Sequence, residues 1–139
     1  MNEIEICLND LCFRASLLKK EAPKTCKAYW DALPIEGEAH HGELAGSEFY
    51  FNFIRPIAKL ERENKYFLNE LKPGDICGGG GGIAFFYSDV SPEPYPENLF
   101  ACVTKKEELK KMRKMGYKIW YKPGGKIIIR RFEGTSEAI

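Results

Sequence analysis

The chain has 139 residues, of which 44% are hydrophobic and 13% aromatic, and its 21 Lys and Arg residues are matched by 20 Asp and Glu residues. This size and composition predict a single domain, residues 1–139, whose hydrophobic core is large enough to fold without disulfides or metals. A net charge of +1 provides no field that would attract nucleic acid or an anionic membrane, so we expect neither as a partner.

The N-terminus carries acidic residues where a signal peptide would carry lysine or arginine. No apolar run comes close to the roughly 20 residues that span a bilayer. Both observations predict a cytoplasmic protein. Five cysteines are an odd number and show no CxxC spacing, which argues against a disulfide framework and against a zinc ribbon.

Residues 4–17 alternate between apolar and polar side chains around Asn9-Asp10, a pattern that predicts a β-hairpin with a two-residue turn. In this register Cys7 faces Cys12 and Glu5 faces Arg14 on one side of the hairpin, while the other side is apolar. The facing cysteines allow a disulfide, but a cytoplasmic location keeps thiols reduced. We therefore expect free thiols at this pair.

A helix is predicted over residues 23–33, because a proline suits its first turn and apolar residues recur at helical spacing. The weakly patterned residues 36–44 are followed by a predicted strand over residues 49–54, with phenylalanines on one face. Residues 59–72 are charged and connective, with a possible short strand at residues 65–68.

A Pro73-Gly74-Asp75 turn leads through Ile76-Cys77 and the glycine run Gly78–Gly82 into a predicted strand at residues 83–87. Residues 88–98 predict a proline-rich loop, and a buried strand follows at residues 99–104. We expect the glycine run to be mobile and to lie on the rim of any pocket, because ordering five glycines costs much conformational entropy. It lacks the Gly-Lys-Ser/Thr and following helix of a phosphate-binding loop.

A second helix is predicted over residues 105–115, with a capping box that starts at Thr104 and an end at Gly116. The chain closes with a predicted hairpin of residues 117–121 and 126–132. About eight strands and two helices that do not alternate as βαβ units predict a mainly β, α+β fold. An antiparallel barrel with helices at its ends fits this order.

Residues 21–33 resemble the first helix of cyclophilins, and Phe53-Ile54-Arg55-Pro56 is similar to the Phe-His-Arg segment of that family. Several short pieces are more similar to the prokaryotic cyclophilin-like family of unknown function. They occur in that family's order: Ala22-Pro23-x-Thr25-Cys26, Leu33-Pro34, His41 with Gly46-x-Glu48, Pro73-Gly74-Asp75-Ile76 and Asn98-Leu99-Phe100-Ala101. The resemblance implies a closed cyclophilin-like barrel of about eight strands with two helices, and it implies no settled activity.

The family-matching polar residues indicate a small-molecule pocket on the barrel, with Arg55, His41 and Glu48 as candidate catalytic or hydrogen-bonding groups. We assign four aromatic side chains to the lining of this pocket: Tyr50, Phe53, Phe86 and Phe100. A metal site formed by His40, His41, Glu43 and Glu48 is disfavoured, because adjacent strand residues point to opposite faces. We predict no metal and no cofactor.

The first alternative function is a prolyl isomerase or a proline-peptide binder. By resemblance, Arg55 would hydrogen-bond the prolyl nitrogen and Phe53 would hold the ring, which lowers the barrier to rotation about the peptide bond. Two positions depart from the cyclophilin pattern, since Ile54 replaces the histidine and Cys77 replaces a glutamine. The second alternative is a non-catalytic structural or assembly subunit, with a possible homo-oligomer and an exposed apolar patch.

Overall fold

Nine β-strands and two α-helices lie within the residues that the computed structural model describes, which are 2–42, 46–90 and 96–133. The helices are α1 (Pro23–Ala32) and α2 (Lys106–Tyr121). The strands are β1 (Glu3–Leu8), β2 (Leu11–Leu17), β3 (Ile35–Glu38), β4 (His40–His41), β5 (Gly46–Asn52), β6 (Asp75–Gly78), β7 (Gly82–Val90), β8 (Leu99–Cys102) and β9 (Lys126–Phe132). Neither helix is long and apolar enough to cross a membrane.

The strands form one sheet in the order β3-β9-β1-β2-β8-β6-β7-β5-β4, and the paired strands run antiparallel. The sheet curls so that β3, at one end of this order, approaches β5 near the other end. A Cβ atom added to Gly37 on β3 would collide with the ring of Phe51 on β5. The result is a nearly closed barrel, and the predicted mainly β fold with two helices is confirmed.

Alternation along the strands sends large apolar side chains into the barrel, where aromatic rings pack against one another. Phe49 and Phe85 stack with ring centroids 4.7 Å apart, and Phe13 meets Phe85 edge to face at 6.3 Å. These three side chains are fully buried. Trp120 is not part of this packing, because it lies on α2 and is 55% exposed.

The β1–β2 hairpin has the predicted register, with Cys7 opposite Cys12 and Glu5 opposite Arg14. Asn9 in the turn has a φ of 55°, a conformation that asparagine tolerates better than most residues. The expectation of two free thiols is wrong, because Cys7 and Cys12 form a disulfide. Residues that face each other directly in a hairpin lie close together. The Cα atoms of Cys7 and Cys12 are only 4.1 Å apart, and the two sulfurs are therefore within bonding distance.

Helix α2 continues through Gly116 to Tyr121, so the predicted helix end at residue 115 and the predicted C-terminal hairpin are wrong. Gly116 is buried against β7, where an added Cβ atom would collide with the ring of Tyr87. The glycine therefore serves close helix–sheet contact and not helix termination. The predicted cap is also wrong, because Lys105 is the N-cap residue and no side chain caps the helix.

Two weakly patterned regions differ from the prediction. Residues 36–44 contribute strands β3 and β4, and residues 65–68 retain a single bridge, between Tyr66 and Glu97. Glu43 and residues 91–95, part of the predicted proline-rich loop, lie outside the described residues. Both new strands lie at the ends of the sheet. With four and two residues, they are too short for the alternation of apolar and polar side chains to be recognised in the sequence.

Candidate functional site

Strand β5 separates the barrel core from an outer-face cavity. Phe49 and Phe51 are fully buried inside the barrel, whereas Glu48, Tyr50 and Asn52 alternate with them and face outward. The cavity has a volume of about 440 Å³, which is within the usual range for small-molecule sites. Its lining residues are Glu48, Tyr50, Asn52, Leu60, Glu61, Arg62, Cys77, Gly78, Gly79, Gly82, Ile83, Ala84, Glu97 and Asn98.

One wall of the outer-face cavity is held by a polar network around Glu63 and Asn98. The Asn98 side-chain oxygen accepts from the Glu63 amide at 2.9 Å, and its nitrogen donates to Thr25 Oγ1 and to the Gly78 carbonyl, both at 3.0 Å. Glu63 accepts from the Lys24 amide and from the amide and hydroxyl of Thr25. The network joins the start of α1 to the loop that carries Glu61 and Arg62.

The glycine run forms another part of the rim. Tyr29 donates its hydroxyl to the carbonyls of Gly79 and Gly82, at 2.7 and 3.0 Å. The Phe53 amide donates to the Gly81 carbonyl at 2.9 Å. These bonds connect the turn between β6 and β7 to α1 and to the segment after β5. They do not test the predicted mobility of the run, which stays a prediction.

The outer-face cavity carries more negative than positive charge. Its described lining residues include three carboxylates, from Glu48, Glu61 and Glu97, and one guanidinium, from Arg62. Cys77 also lines the cavity, where burial raises the pKa of its thiol well above the ordinary value and the negative charges of Glu97, Asp75 and Glu48 raise it further. Cys77 therefore stays a neutral thiol, and a positively charged ligand group is favoured over an anion.

Three of the predicted site residues lie at this cavity. Glu48 and Tyr50 line it directly. Phe86 is buried beside it, in a small cluster with Leu68, Cys77 and Leu99 on the outer face of the sheet. The alternation of β5 placed the first two on one face, and Phe86 lies opposite Glu48 on the neighbouring strand β7.

His41 lies on the inner side of the sheet and so is separated from Glu48. Its Nε2 accepts a 2.6 Å hydrogen bond from the Tyr87 hydroxyl when Nδ1–H donates to the Gly42 carbonyl at 2.8 Å. The imidazole also meets the ring of Trp120 edge on, at 4.7 Å. His40 stacks on Tyr50 instead, so the two histidines do point to opposite faces.

The remaining predicted residues lie outside the outer-face cavity. Arg55 is exposed in the loop that follows β5. Phe53 packs on the core and contacts the rings of Tyr29 and Phe51. Phe100 is fully buried and stacks on Tyr29 with centroids 4.3 Å apart. None of these three residues lines the outer-face cavity, and the assignment of Arg55 and Phe53 to a prolyl site stays a prediction.

Glu5, Cys7 and Cys12 bring their potential ligand atoms within 4.8 Å of one another. A cation is already present there, because Arg130 donates from Nε to Glu5 at 2.9 Å and from Nη2 to Cys7 Sγ at 3.2 Å. With the sulfurs joined in a disulfide, this cluster lacks the thiolates that a metal would need.

Sequence reasoning missed Arg62, Glu97 and Asn98 as cavity residues. They lie in connecting segments, where no periodicity assigns a side chain to a face. Asn98 belongs to the segment Asn98-Leu99-Phe100-Ala101, which is similar to the cyclophilin-like family. That similarity was the feature of the sequence that could have identified Asn98 as a site residue. The side chain's burial and its four hydrogen-bond partners appear only in the folded chain.

A family model described as "Protein of unknown function (DUF3830)" matches residues 4–79, more than half of the chain. No protein with a curated description matches. Among solved structures, McbB in complex with tryptophan superposes with a TM-score of 0.85 at 19% identity. The match covers 98% of this chain but 47% of McbB, so the chain spans about half of that protein.

A second solved structure is the hypothetical protein AF2241 from Archaeoglobus fulgidus. It superposes with a TM-score of 0.68 at 22% identity, and the match covers 94% of this chain and 95% of AF2241. At these identities the two likenesses show a shared fold and no shared activity.

Proposed function

The chain belongs to the DUF3830 family of proteins of unknown function, and from this premise we propose that it binds a small amine-bearing molecule of the amino-acid class. The proposed site is the outer-face cavity next to β5. The observation that carries the proposal is the excess of carboxylates in the lining of the cavity, where Glu48, Glu61 and Glu97 outnumber the single guanidinium of Arg62.

Each part of such a ligand has a matching group in the cavity. The carboxylates of Glu48 and Glu97 line the cavity and attract an ammonium group, because charge-assisted hydrogen bonds are stronger than neutral ones. A ligand carboxylate fits the guanidinium of Arg62, which offers paired donors. Tyr50 and Ala84 supply apolar surface for the rest of the molecule.

The likeness to McbB supports the amino-acid class, because that protein is described in complex with tryptophan. The shared fold alone does not transfer the ligand, since one fold hosts many sites. The cavity of this chain supports the same class independently, through its own charges and its volume of about 440 Å³.

Calorimetric titration with three related indoles tests the proposal. L-tryptophan has both charged groups, tryptamine has the amine alone and indole-3-propionate has the carboxylate alone. We expect the two amines to bind and the bare acid to bind at least about 10-fold more weakly, a difference of about 1.4 kcal/mol. Glu48→Gln weakens both amines by a similar factor, and Arg62→Gln weakens L-tryptophan but not tryptamine.

Glu3→Gln is the matched control, because Glu3 lies on β1 and does not line the cavity. It is expected to leave all three affinities unchanged. Binding of indole-3-propionate as tight as that of tryptamine would contradict the proposal, and so would equal affinities for wild type and Glu48→Gln.

The prolyl isomerase alternative stays a prediction, and the cavity lends it no support because Arg55 and Phe53 lie elsewhere. A peptide isomerisation assay on wild type and Arg55→Ala distinguishes it from the proposal. We expect the same uncatalysed rate with both proteins.

A further inference from the structure

The Cys7–Cys12 disulfide lies on the outer face of the β1–β2 hairpin, on strands that do not line the outer-face cavity. Its two ends differ in access. Cys7 is 4% exposed, whereas Cys12 is only half-buried. Cys12 also lines a separate cavity of about 450 Å³ together with Asp10, Arg14 and Lys111. Cys12 is therefore the more accessible end of the disulfide for a small reagent.

The buried sulfur has a cation beside it. Arg130 lies on β9 and donates from Nη2 to Cys7 Sγ at 3.2 Å, while its Nε is held by Glu5 at 2.9 Å. Because Glu5, Cys7 and Arg130 face the same side of neighbouring strands, the guanidinium is positioned to stabilise negative charge on Cys7 Sγ. In thiol–disulfide exchange such a sulfur is the better leaving group.

We propose that the Cys7–Cys12 pair is a thiol–disulfide exchange site, at which a low-molecular-weight thiol attacks Cys12 and Arg130 holds the departing Cys7 thiolate. The attacking thiolate forms a mixed disulfide with Cys12 Sγ as the Cys7–Cys12 bond breaks, and Cys7 leaves with the electron pair. A second thiolate then attacks the small-molecule sulfur and releases Cys12. In sum, one protein disulfide and two thiols yield a protein dithiol and one small disulfide.

The test follows reduction of the oxidised protein by glutathione, with acid quenching, alkylation and peptide mass spectrometry. All variants carry Cys102→Ser, because Cys102 is a half-buried free thiol that would react in its own right. We expect the transient glutathione adduct on Cys12. We also expect Arg130→Gln to slow reduction by roughly 3- to 10-fold, since the rate depends on the pKa of the leaving thiol.

Arg131→Gln is the matched control, because this neighbouring arginine donates to the Trp30 carbonyl and to no sulfur. It is expected to be reduced at the wild-type rate, and Arg130→Lys, which keeps the charge, to recover most of the lost rate. An adduct on Cys7, equal rates for Arg130→Gln and Arg131→Gln, or four free thiols after equilibration with glutathione disulfide would each overturn the proposal. None of these results depends on the ligand of the outer-face cavity.

Discussion

At the scale of single residues, one distant carboxylate completes the start of α1. No local side chain caps this helix, and the amides of Lys24 and Thr25 instead donate to Glu63, which is 39 and 38 residues away in the chain, respectively. Burial acts to raise the pKa of Glu63, but the hydrogen bonds from Thr25 and Lys24 outweigh it and lower the pKa. The ionised form is therefore the one that stabilises the fold.

Glu63→Ala should lower the free energy of unfolding by about 2 kcal/mol near pH 7, because it removes the acceptor for three donors at a helix start. A folded-state pKa below the ordinary value makes this contribution complete above pH 4.5 and lost as the pH falls further. Urea unfolding at neutral and acidic pH measures both effects.

Glu61→Ala is the control for this substitution, since Glu61 is an exposed carboxylate in the same loop. We expect it to change stability by less than about 0.5 kcal/mol. A difference between wild type and Glu63→Ala that stayed constant from pH 7 to pH 3 would show that the charge of Glu63 plays no part.

At the scale of elements, the turn between β6 and β7 has room for a side chain at some of its glycine positions and no room at others. The carbonyl of Gly80 accepts from the Ile57 amide at 3.0 Å, and an added Cβ atom at Gly80 would collide with the Ala58 carbonyl oxygen. At Gly81 an added Cβ atom would meet nothing within 4 Å. Neither glycine has a positive φ, so space alone separates the two positions.

Gly80→Ala should destabilise the protein by about 1–3 kcal/mol, because the backbone of residues 57–58 has to move. Gly81→Ala should be neutral or should stabilise by about 0.4–1 kcal/mol, since alanine restricts the unfolded chain. Thermal unfolding of both variants measures the difference. The opposite order of stabilities would show that the turn has another conformation in solution.

At the scale of the whole molecule, the barrel rests on apolar packing and the disulfide adds to it. The inner face of the β1–β2 hairpin buries Ile4, Ile6 and Phe13 in the core, on the side opposite the two cysteines. The bridge closes a short loop, with a sequence separation of 5, so chain entropy predicts a modest contribution of about 2 kcal/mol.

Reduction should therefore lower the free energy of unfolding by about 2 kcal/mol and leave the protein folded. Urea unfolding with and without dithiothreitol measures the change, and far-ultraviolet circular dichroism checks that the strands persist. The Cys7→Ser, Cys12→Ser double variant is the control, since its stability should not respond to the reductant. If dithiothreitol unfolded the protein in the absence of urea, apolar packing would not be sufficient to keep the barrel folded.

The sequence by itself determined the features that depend on neighbours along the chain. The alternation of residues 4–17 and the turn at Asn9 specified the register of the first hairpin, pair by pair, because a slip of one residue would exchange its apolar and polar faces. Pro23 and the apolar spacing located α1. The alternation of residues 49–54 likewise separated Tyr50 from the face that carries Phe49 and Phe51.

Tertiary structure decided what depends on contacts between distant segments. The sequence suggests that Gly116 ends a helix, whereas the structure shows that it allows close contact with Tyr87. The sequence likewise suggests two free thiols at Cys7 and Cys12, whereas the structure shows a disulfide with Arg130 beside it. The outer-face cavity unites Glu48 with Arg62 and Glu97, which no local periodicity connects. The physical reason is that local pattern sets which side of an element is apolar, whereas only packing sets which elements meet.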